Sequence, residues 1–164
     1  MDHVSGPPPA ILIVDDEPGI TATLADLLAD EGYRVATAAD GLAVEAALAD
    51  LATPPALVLL DVMLPGSSGV AIYQQLRNAL ETRDVPVVFI TVVPPDWLAG
   101  LLEDSPRASI LPKPFRFAEL LAAVHRHLAP VPAPTPGRAA GNALPGAAPL
   151  LPGGDAAPPV ACPA

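Results

Sequence analysis

The sequence predicts an α/β protein built on a doubly wound, five-stranded parallel sheet. Two observations predict this fold class: five short runs are apolar at nearly every position, and stretches with helical periodicity separate them. A strand that is apolar throughout is covered on both faces, and parallel strands need crossover helices between them. The predicted strands are residues 10–14, 33–37, 56–60, 87–91 and 108–111.

The first and last helices have the clearest periodicity. Apolar residues recur at helical spacing in both, at Ile20, Leu24, Leu27 and Leu28 and at Phe117, Leu120, Leu121, Val124 and Leu128. Pro18 suits a first helical turn, Gly32 a C-terminal stop, and Pro130 ends the last helix. Because Pro94 and Pro95 fall where the fourth helix would begin, we expect that helix to start late.

Composition divides the chain near residue 130. Residues 130–164 contain 10 Pro, 10 Ala and 5 Gly, and they have no aromatic side chain. Such a segment buries too little apolar surface to offset its ordering entropy. We therefore expect a flexible leader (residues 1–8), a folded domain (residues 9–129) and a disordered tail whose removal after Ala129 leaves folding intact. The tail is either a tether or docking peptide, or a compositional drift without function.

Charge and hydropathy exclude several classes of protein. The formal net charge is -10 and Lys113 is the only lysine, so the clustered positive charge that binds phosphate backbones is missing and direct DNA binding is not expected. No secretory signal pattern occurs, and no run reaches the roughly 18 apolar residues that span a bilayer, so we expect a soluble cytoplasmic protein. Cys162 is the only cysteine, which excludes an intramolecular disulfide.

Polar side chains stand at the ends of four predicted strands. They are Asp15, Asp16 and Glu17 after the first strand, Asp61 after the third, Thr91 at the end of the fourth and Lys113 after the fifth. Ligands bind outside the carboxyl ends of strands in open α/β sheets, so we expect these side chains to converge. Neighbouring carboxylates repel one another unless a cation neutralises them. Mg²⁺, which prefers oxygen ligands, is the expected cofactor.

These residue types indicate phosphoryl chemistry. Asp61 is a candidate nucleophile that forms an acyl phosphate, while Lys113 would neutralise the phosphoryl group and Thr91 would hydrogen-bond one of its oxygens. Three functions remain open: a phosphorylatable switch, a binding module that works without phosphorylation, and an aspartate-nucleophile phosphohydrolase. Such hydrolases usually carry a second acid two residues after the nucleophile, where this chain has Met63.

Four motifs carry a family resemblance. ILIVDDEPG, LVLLDVMLPGSSG, FIT and LPKPF occur in this order, and together they resemble the receiver domain of two-component response regulators over residues 9–128. The resemblance implies a flavodoxin-like, three-layer αβα fold with strand order 2-1-3-4-5. It also implies that Mg²⁺ is bound directly by Asp16 and Asp61, by the backbone carbonyl of Met63, and through water by Asp15.

The resemblance also assigns the phosphoryl chemistry. Asp61 would accept the phosphoryl group from a sensor histidine kinase or phosphotransfer protein, and Thr91 and Lys113 would hold the phosphoryl oxygens. The chain would be a signalling phosphoacceptor rather than an enzyme, catalysing only its own phosphorylation and dephosphorylation. Pro65, Gly66 and Gly69 match the family's turn after the acceptor, and the bond between Lys113 and Pro114 is expected to be cis.

With no second folded domain expected after residue 130, the resemblance implies a standalone, chemotaxis-like receiver without a DNA-binding output domain. Output would then pass through another protein, which the sequence does not name. The tail would raise the local concentration of the receiver at that partner.

Several positions depart from the family pattern. The residue after the switch hydroxyl is usually small, so Val92 would narrow access to the phosphoryl group. Ile110 replaces a frequent aromatic that turns inward on activation, so that readout cannot operate here. Trp97 is expected to be in the core or partly on the surface. His125 and His127 are two apart on a helix, so we expect them on different faces, at the surface near the helix C-terminus.

Overall fold

A computed structural model describes residues 7–103 and 105–128. The main sheet has five parallel strands in the order β2-β1-β3-β4-β5. The predicted fold class and strand order are therefore confirmed. The strands are β1 (Ala10–Val14), β2 (Arg34–Ala38), β3 (Leu57–Leu60), β4 (Val87–Thr91) and β5 (Ala108–Pro112).

Four strand boundaries differ from the prediction by one residue. β2 begins at Arg34 because the backbone N–H of Tyr33 donates to the carbonyl of Leu28 and so belongs to the end of the first helix. β2 also continues to Ala38, which is buried opposite Val14. β3 starts one residue later than its apolar run indicated, at Leu57. β5 ends one residue later than its run indicated, at Pro112.

Within the described residues, five α-helices connect and follow the strands, and the first begins at Pro18 as predicted. A 3₁₀ turn, Pro95–Trp97, precedes the fourth helix, which confirms its late start and leaves it only five residues long. Gly32 has a φ of +92° at the end of the first helix, a left-handed conformation that suits glycine. The helices are α1 (Pro18–Asp30), α2 (Gly41–Leu51), α3 (Gly69–Asn78), α4 (Ala99–Glu103) and α5 (Phe117–Leu128).

The helices cover the sheet on both faces. Leu24 and Leu28 of α1 and Leu120 of α5 pack with Ile11 and Ile13 of β1 on one face. On the other face α2, α3 and the α4 region pack against the alternate strand residues, and Phe89 of β4 is fully buried among them. Burying a large apolar side chain contributes about 1.5–3 kcal/mol. The two apolar layers therefore hold the strand ends, and the side chains that follow them, in a fixed arrangement.

The predicted stop at Pro130, the tail and Cys162 lie outside the described residues, as does most of the predicted leader. Within residues 7–103 and 105–128, no helix is long and apolar enough to cross a membrane.

Candidate functional site

The sheet register brings two aspartates side by side. Val14 of β1 pairs with Leu60 of β3, so Asp15 and Asp61 stand one position beyond that pair. Their backbone amides continue the ladder: Asp61 N–H donates to the Val14 carbonyl at 2.9 Å, and Asp15 N–H donates to the Ala38 carbonyl at 3.1 Å. Both carboxylates are thus positioned by main-chain hydrogen bonds, and both residues are buried.

Asp16 joins these two residues in an acidic cluster. Ligand oxygens of Asp15, Asp16 and Asp61 all lie within 4.8 Å of one another, and Asp16 is the exposed member of the three. The structure therefore brings together the three acids that the sequence placed at the ends of β1 and β3.

Lys113 neutralises much of this charge. Its Nζ donates to Oδ2 of Asp61 at 2.8 Å and to Oδ2 of Asp15 at 2.9 Å, and it lies 3.6 Å from Oε1 of Glu17. Burial alone lowers the pKa of Lys113, but the hydrogen bonds and charges of Asp61 and Asp15 outweigh burial and raise that pKa above its ordinary value. Lys113 is therefore charged at neutral pH and held in place between two carboxylates.

The remaining carboxylate oxygens accept backbone amides. Asp61 Oδ1 accepts the N–H of Met63 at 2.8 Å, and Asp15 Oδ1 accepts the N–H of Glu17 at 2.9 Å. The hydroxyl of Thr21 donates to the Glu17 carbonyl at 2.9 Å and is 3.3 Å from the Asp15 carbonyl. Sequence reasoning missed Thr21, although its position four residues after Glu17 on a helix was an available signal.

Thr91 ends β4 at the same edge of the sheet. Its side chain is fully buried, and its Oγ1 accepts the backbone N–H of Val93 at 3.2 Å. The backbone N–H of Lys113 donates to the Thr91 carbonyl at 2.9 Å, which ties the loop after β5 to the end of β4. The bond between Lys113 and Pro114 is cis, as predicted.

The loop after β3 requires glycine at two positions. Met63–Leu64 pairs antiparallel with Ser67–Ser68 across a turn at Pro65 and Gly66, and Gly66 has a φ of +71°. A Cβ on Gly69 would lie 2.1 Å from the carbonyl oxygen of Asp61, because the start of α3 approaches the backbone directly after β3. These residues thus shape the turn that follows Asp61.

The donor set fits Mg²⁺. Carboxylate oxygens from Asp15, Asp16 and Asp61 converge, and hard oxygen ligands with at least one exposed face suit an ion that keeps part of its water shell. The exposed Asp16 provides that face.

Two sequence expectations were wrong. The Trp97 side chain is 81% exposed, because the 3₁₀ turn places it ahead of α4 and outside the core. His127 is partly buried rather than a surface residue: its Nε2 lies 2.8 Å from Oγ of Ser109 in β5. Burial, and secondarily the charge of Arg126, lower the pKa of His127. His125 is exposed, as expected.

The fold and the acidic site define a class of protein. Residues 11–125 match the family described as the response regulator receiver domain, so the chain belongs to that family. Receivers are signalling phosphoacceptors of two-component systems, and phosphorylation and Mg²⁺ are typical of them.

Curated relatives are longer than this chain. The chain is 38% identical over 118 residues to the DNA-binding dual master transcriptional regulator RpaA of Synechocystis, covering 71% of this chain and 47% of RpaA. It is 35% identical over 127 residues to the phosphate regulon transcriptional regulatory protein PhoB of Escherichia coli, covering 74% of this chain and 53% of PhoB. The chain spans about half the length of these relatives.

Two solved structures match this chain over nearly their full length. Vibrio cholerae chemotaxis protein CheY4 superposes with a TM-score of 0.66 at 27% identity, covering 74% of this chain and 99% of that one. The response regulator TrrA of Thermotoga maritima, solved in complex with Mg²⁺-BeF, gives a TM-score of 0.60 at 29% identity. The match covers 73% of this chain and 99% of the TrrA chain.

Proposed function

We propose that this chain is a phosphorylation switch in which Asp61 accepts a phosphoryl group from a histidine kinase or phosphotransfer protein. One observation carries the proposal: the Lys113 ammonium lies between the buried carboxylates of Asp61 and Asp15 at the edge of the sheet. An ion pair with only a structural role needs one acid for each cation. Three acids around a single held cation favour a site for a charged reaction.

Asp61 is the nucleophile in the proposed step. One of its carboxylate oxygens forms a bond to phosphorus while the P–N bond of a phosphohistidine breaks, and the imidazole leaves with the electron pair. Lys113 stabilises the negative charge on the phosphoryl oxygens, and Thr91 donates its hydroxyl to one of them. Attack of water on phosphorus later releases phosphate and restores the Asp61 carboxylate.

Asp15, Asp16, Asp61 and the backbone carbonyl of Met63 are the residues that would hold Mg²⁺. When bound, the ion neutralises carboxylate charge and stabilises negative charge on phosphoryl oxygens. The convergent acids support this assignment.

The signal itself would be a population shift. In the unmodified chain the Thr91 hydroxyl oxygen accepts the Val93 amide. Recruitment of that hydroxyl by a phosphoryl group would change this contact and favour a second arrangement of the loops after β3 and β4. A protein that distinguishes the two arrangements reads the signal.

How this chain passes its signal on remains a prediction. RpaA is named a DNA-binding regulator and this chain spans about half of it, so the expectation of a standalone receiver that does not bind DNA is untested. A cytoplasmic location fits the proposed role and is likewise a prediction.

The test is phosphorylation of the purified chain by acetyl phosphate with and without Mg²⁺, read by intact mass. We expect a gain of one phosphoryl group that requires Mg²⁺ and is lost in Asp61→Asn. Asp84→Asn, which changes an exposed acid in the loop before β4, is the matched control and should react like the wild type. Folded protein that gains no mass, at times too short for hydrolysis, would contradict the proposal and favour a module that works without phosphorylation.

A further inference from the structure

A groove lies beside the acceptor site, between the loops that follow β3 and β4. Its volume is about 590 Å³, and its walls are mainly apolar. We call it the loop groove and define it by Met63, Leu64, Val70, Val93, Trp97 and Leu98. The Trp97 and Met63 side chains are 81% and 60% exposed, so two large apolar groups stand at its opening. Exposed aromatic and Met side chains around a concave surface are typical of interaction sites.

The segment before α4 forms one wall of the groove, through Val93, Trp97 and Leu98. Pro94 and Pro95 delay the helix, and the 3₁₀ turn carries Trp97 out from the sheet before α4 begins at Ala99. Leu98, directly after Trp97, is buried and anchors the turn to the core. Trp97 therefore projects from a supported turn, which limits the conformational entropy that binding would cost.

Two walls of the loop groove are hydrogen-bonded to the acceptor site. The backbone N–H of Met63 donates to Oδ1 of Asp61, and the backbone N–H of Val93 donates to Oγ1 of Thr91. A covalent change at Asp61, or a rotation of the Thr91 hydroxyl, changes the acceptor of one of these amides. The position of Met63 or Val93, and with it the shape of the groove, would then change with the state of Asp61.

The negative charge around the groove favours a partner segment with positive charge. The two segments that carry the groove residues, 62–76 and 92–103, contain no Lys or Arg, whereas Asp96, next to Trp97, and Glu103 are exposed acids. A second copy of this chain would present the same acidic surface, and its formal net charge is -10. A segment with positive charge complements the groove better than a second copy does.

We propose that the loop groove binds a partner-protein segment whose apolar side chains are flanked by Lys or Arg, with an affinity that phosphorylation of Asp61 changes. This inference rests on the proposed function and names the surface and the chemistry of its output. Trp97 is the anchor of the contact, and the basic flanks match the acidic residues around it.

The probe is a short fluorescein-labelled peptide with Leu at helical spacing and Lys at the remaining positions. Two matched peptides carry Glu in place of Lys, or Ser in place of Leu. Binding is read by anisotropy. Because Trp97 is the only tryptophan of the chain, a blue shift of its emission in the wild type reports burial of the groove itself. Phosphorylation by acetyl phosphate and Mg²⁺ is measured separately in each sample by intact mass.

Trp97→Ala tests the surface, and Leu80→Ala is its matched control. Leu80 is 80% exposed and lies in the loop between α3 and β4, away from the groove-lining residues. We expect the Leu/Lys peptide to shift the Trp97 emission and to lose about tenfold in affinity in Trp97→Ala, as for an aromatic hot spot, with no change in Leu80→Ala. The Glu and Ser peptides should bind at least about fivefold more weakly.

The outcomes separate the two proposals. Absence of a phosphoryl adduct on folded protein overturns the proposed function and this inference with it. A phosphoryl adduct that leaves the affinity for the Leu/Lys peptide unchanged overturns this inference alone. Equal affinity of Trp97→Ala and the wild type for the Leu/Lys peptide also overturns this inference. So does a wild-type dimer in analytical ultracentrifugation that Trp97→Ala abolishes, because the occupant of the groove would then be a second copy of the chain.

Discussion

At the scale of single residues, Gly69 is the described glycine that its surroundings restrict most severely. A Cβ there would lie 2.1 Å from the Asp61 carbonyl oxygen and 2.6 Å from Cα of Val62, and both are backbone atoms that cannot rotate away. We expect Gly69→Ala to lower the free energy of unfolding by about 2 kcal/mol or more, since overpacking costs about 1–3 kcal/mol. Urea denaturation monitored by circular dichroism measures the change.

Gly19→Ala is the control for this substitution. Gly19 lies in the first turn of α1, and a Cβ there meets no atom within 4 Å. Alanine favours helix over glycine by up to about 1 kcal/mol, so the control should be neutral or stabilising. Equal losses of stability in the two variants would show that the contact at Gly69 relaxes easily.

The individual site residues could be predicted because chain order fixes which side chains follow each strand. Asp15, Asp61 and Lys113 each follow an apolar run, and parallel pairing carries all three to one edge. The sequence could not predict that the Lys113 ammonium donates hydrogen bonds to both aspartates, since that depends on distances of a few tenths of an ångström. The exposure of Trp97 was also missed, because the sequence shows that the helix is delayed but not where the preceding turn points.

At the scale of elements, the contact between α5 and β5 predicts a pH dependence of stability. His127 is partly buried against Ser109, and burial lowers its pKa below the ordinary value. The unfolded chain therefore binds a proton more readily than the folded chain, so this residue's contribution to stability is present above about pH 6.5 and is lost as pH falls through the folded-state pKa. Urea denaturation between about pH 5 and pH 8 measures the loss.

His125 provides the control on the same helix, since its side chain is exposed. His127→Gln should flatten the dependence of stability on pH in this range, whereas His125→Gln should leave it unchanged. If both variants keep the slope of the wild type, the dependence arises elsewhere in the chain.

The elements themselves could be predicted from periodicity, but their ends could not. Tyr33 reads as part of an apolar strand, yet its amide closes the end of α1 through the Leu28 carbonyl. The buried contacts of Tyr73 in α3 were missed for a similar reason. Its ring lies 5.2 Å from that of Phe89 and its hydroxyl donates to Oγ of Ser105 at 2.5 Å, and both contacts arise only when α3 packs beside β4.

At the scale of the whole molecule, a net charge of -10 with three acids at one edge predicts that Mg²⁺ stabilises the fold. Folding assembles the cluster, so an ion that binds only the folded chain adds about 2.7 kcal/mol when its concentration is a hundred times its dissociation constant. Thermal denaturation in MgCl₂, compared with NaCl at the same ionic strength, measures this gain.

Asp16→Asn should remove most of that stabilisation, because Asp16 is the exposed member of the cluster and its replacement does not disturb the core. Asp84→Asn removes the same single negative charge and should keep the response of the wild type. Equal responses in the two variants would indicate general screening of charge rather than a site.

The overall architecture could be predicted because two independent signals agree. Apolar runs alternate with helical periods, which requires a parallel sheet with crossovers, and the family resemblance supplies the strand order that periodicity leaves open. The loop groove could not be predicted, since it depends on how the segments after β3 and β4 pack beside each other.

The position of Lys113 has a consequence for covalent chemistry on this protein. The chain carries one lysine, and that lysine is held between two buried carboxylates. Apart from the terminal amine, reagents that acylate or crosslink amines therefore have a single side-chain target in these 164 residues. Acylation would exchange the cation for a neutral amide and leave Asp15 and Asp61 facing each other without their partner. Immobilising or labelling this protein through its lysine thus amounts to modifying its proposed acceptor site.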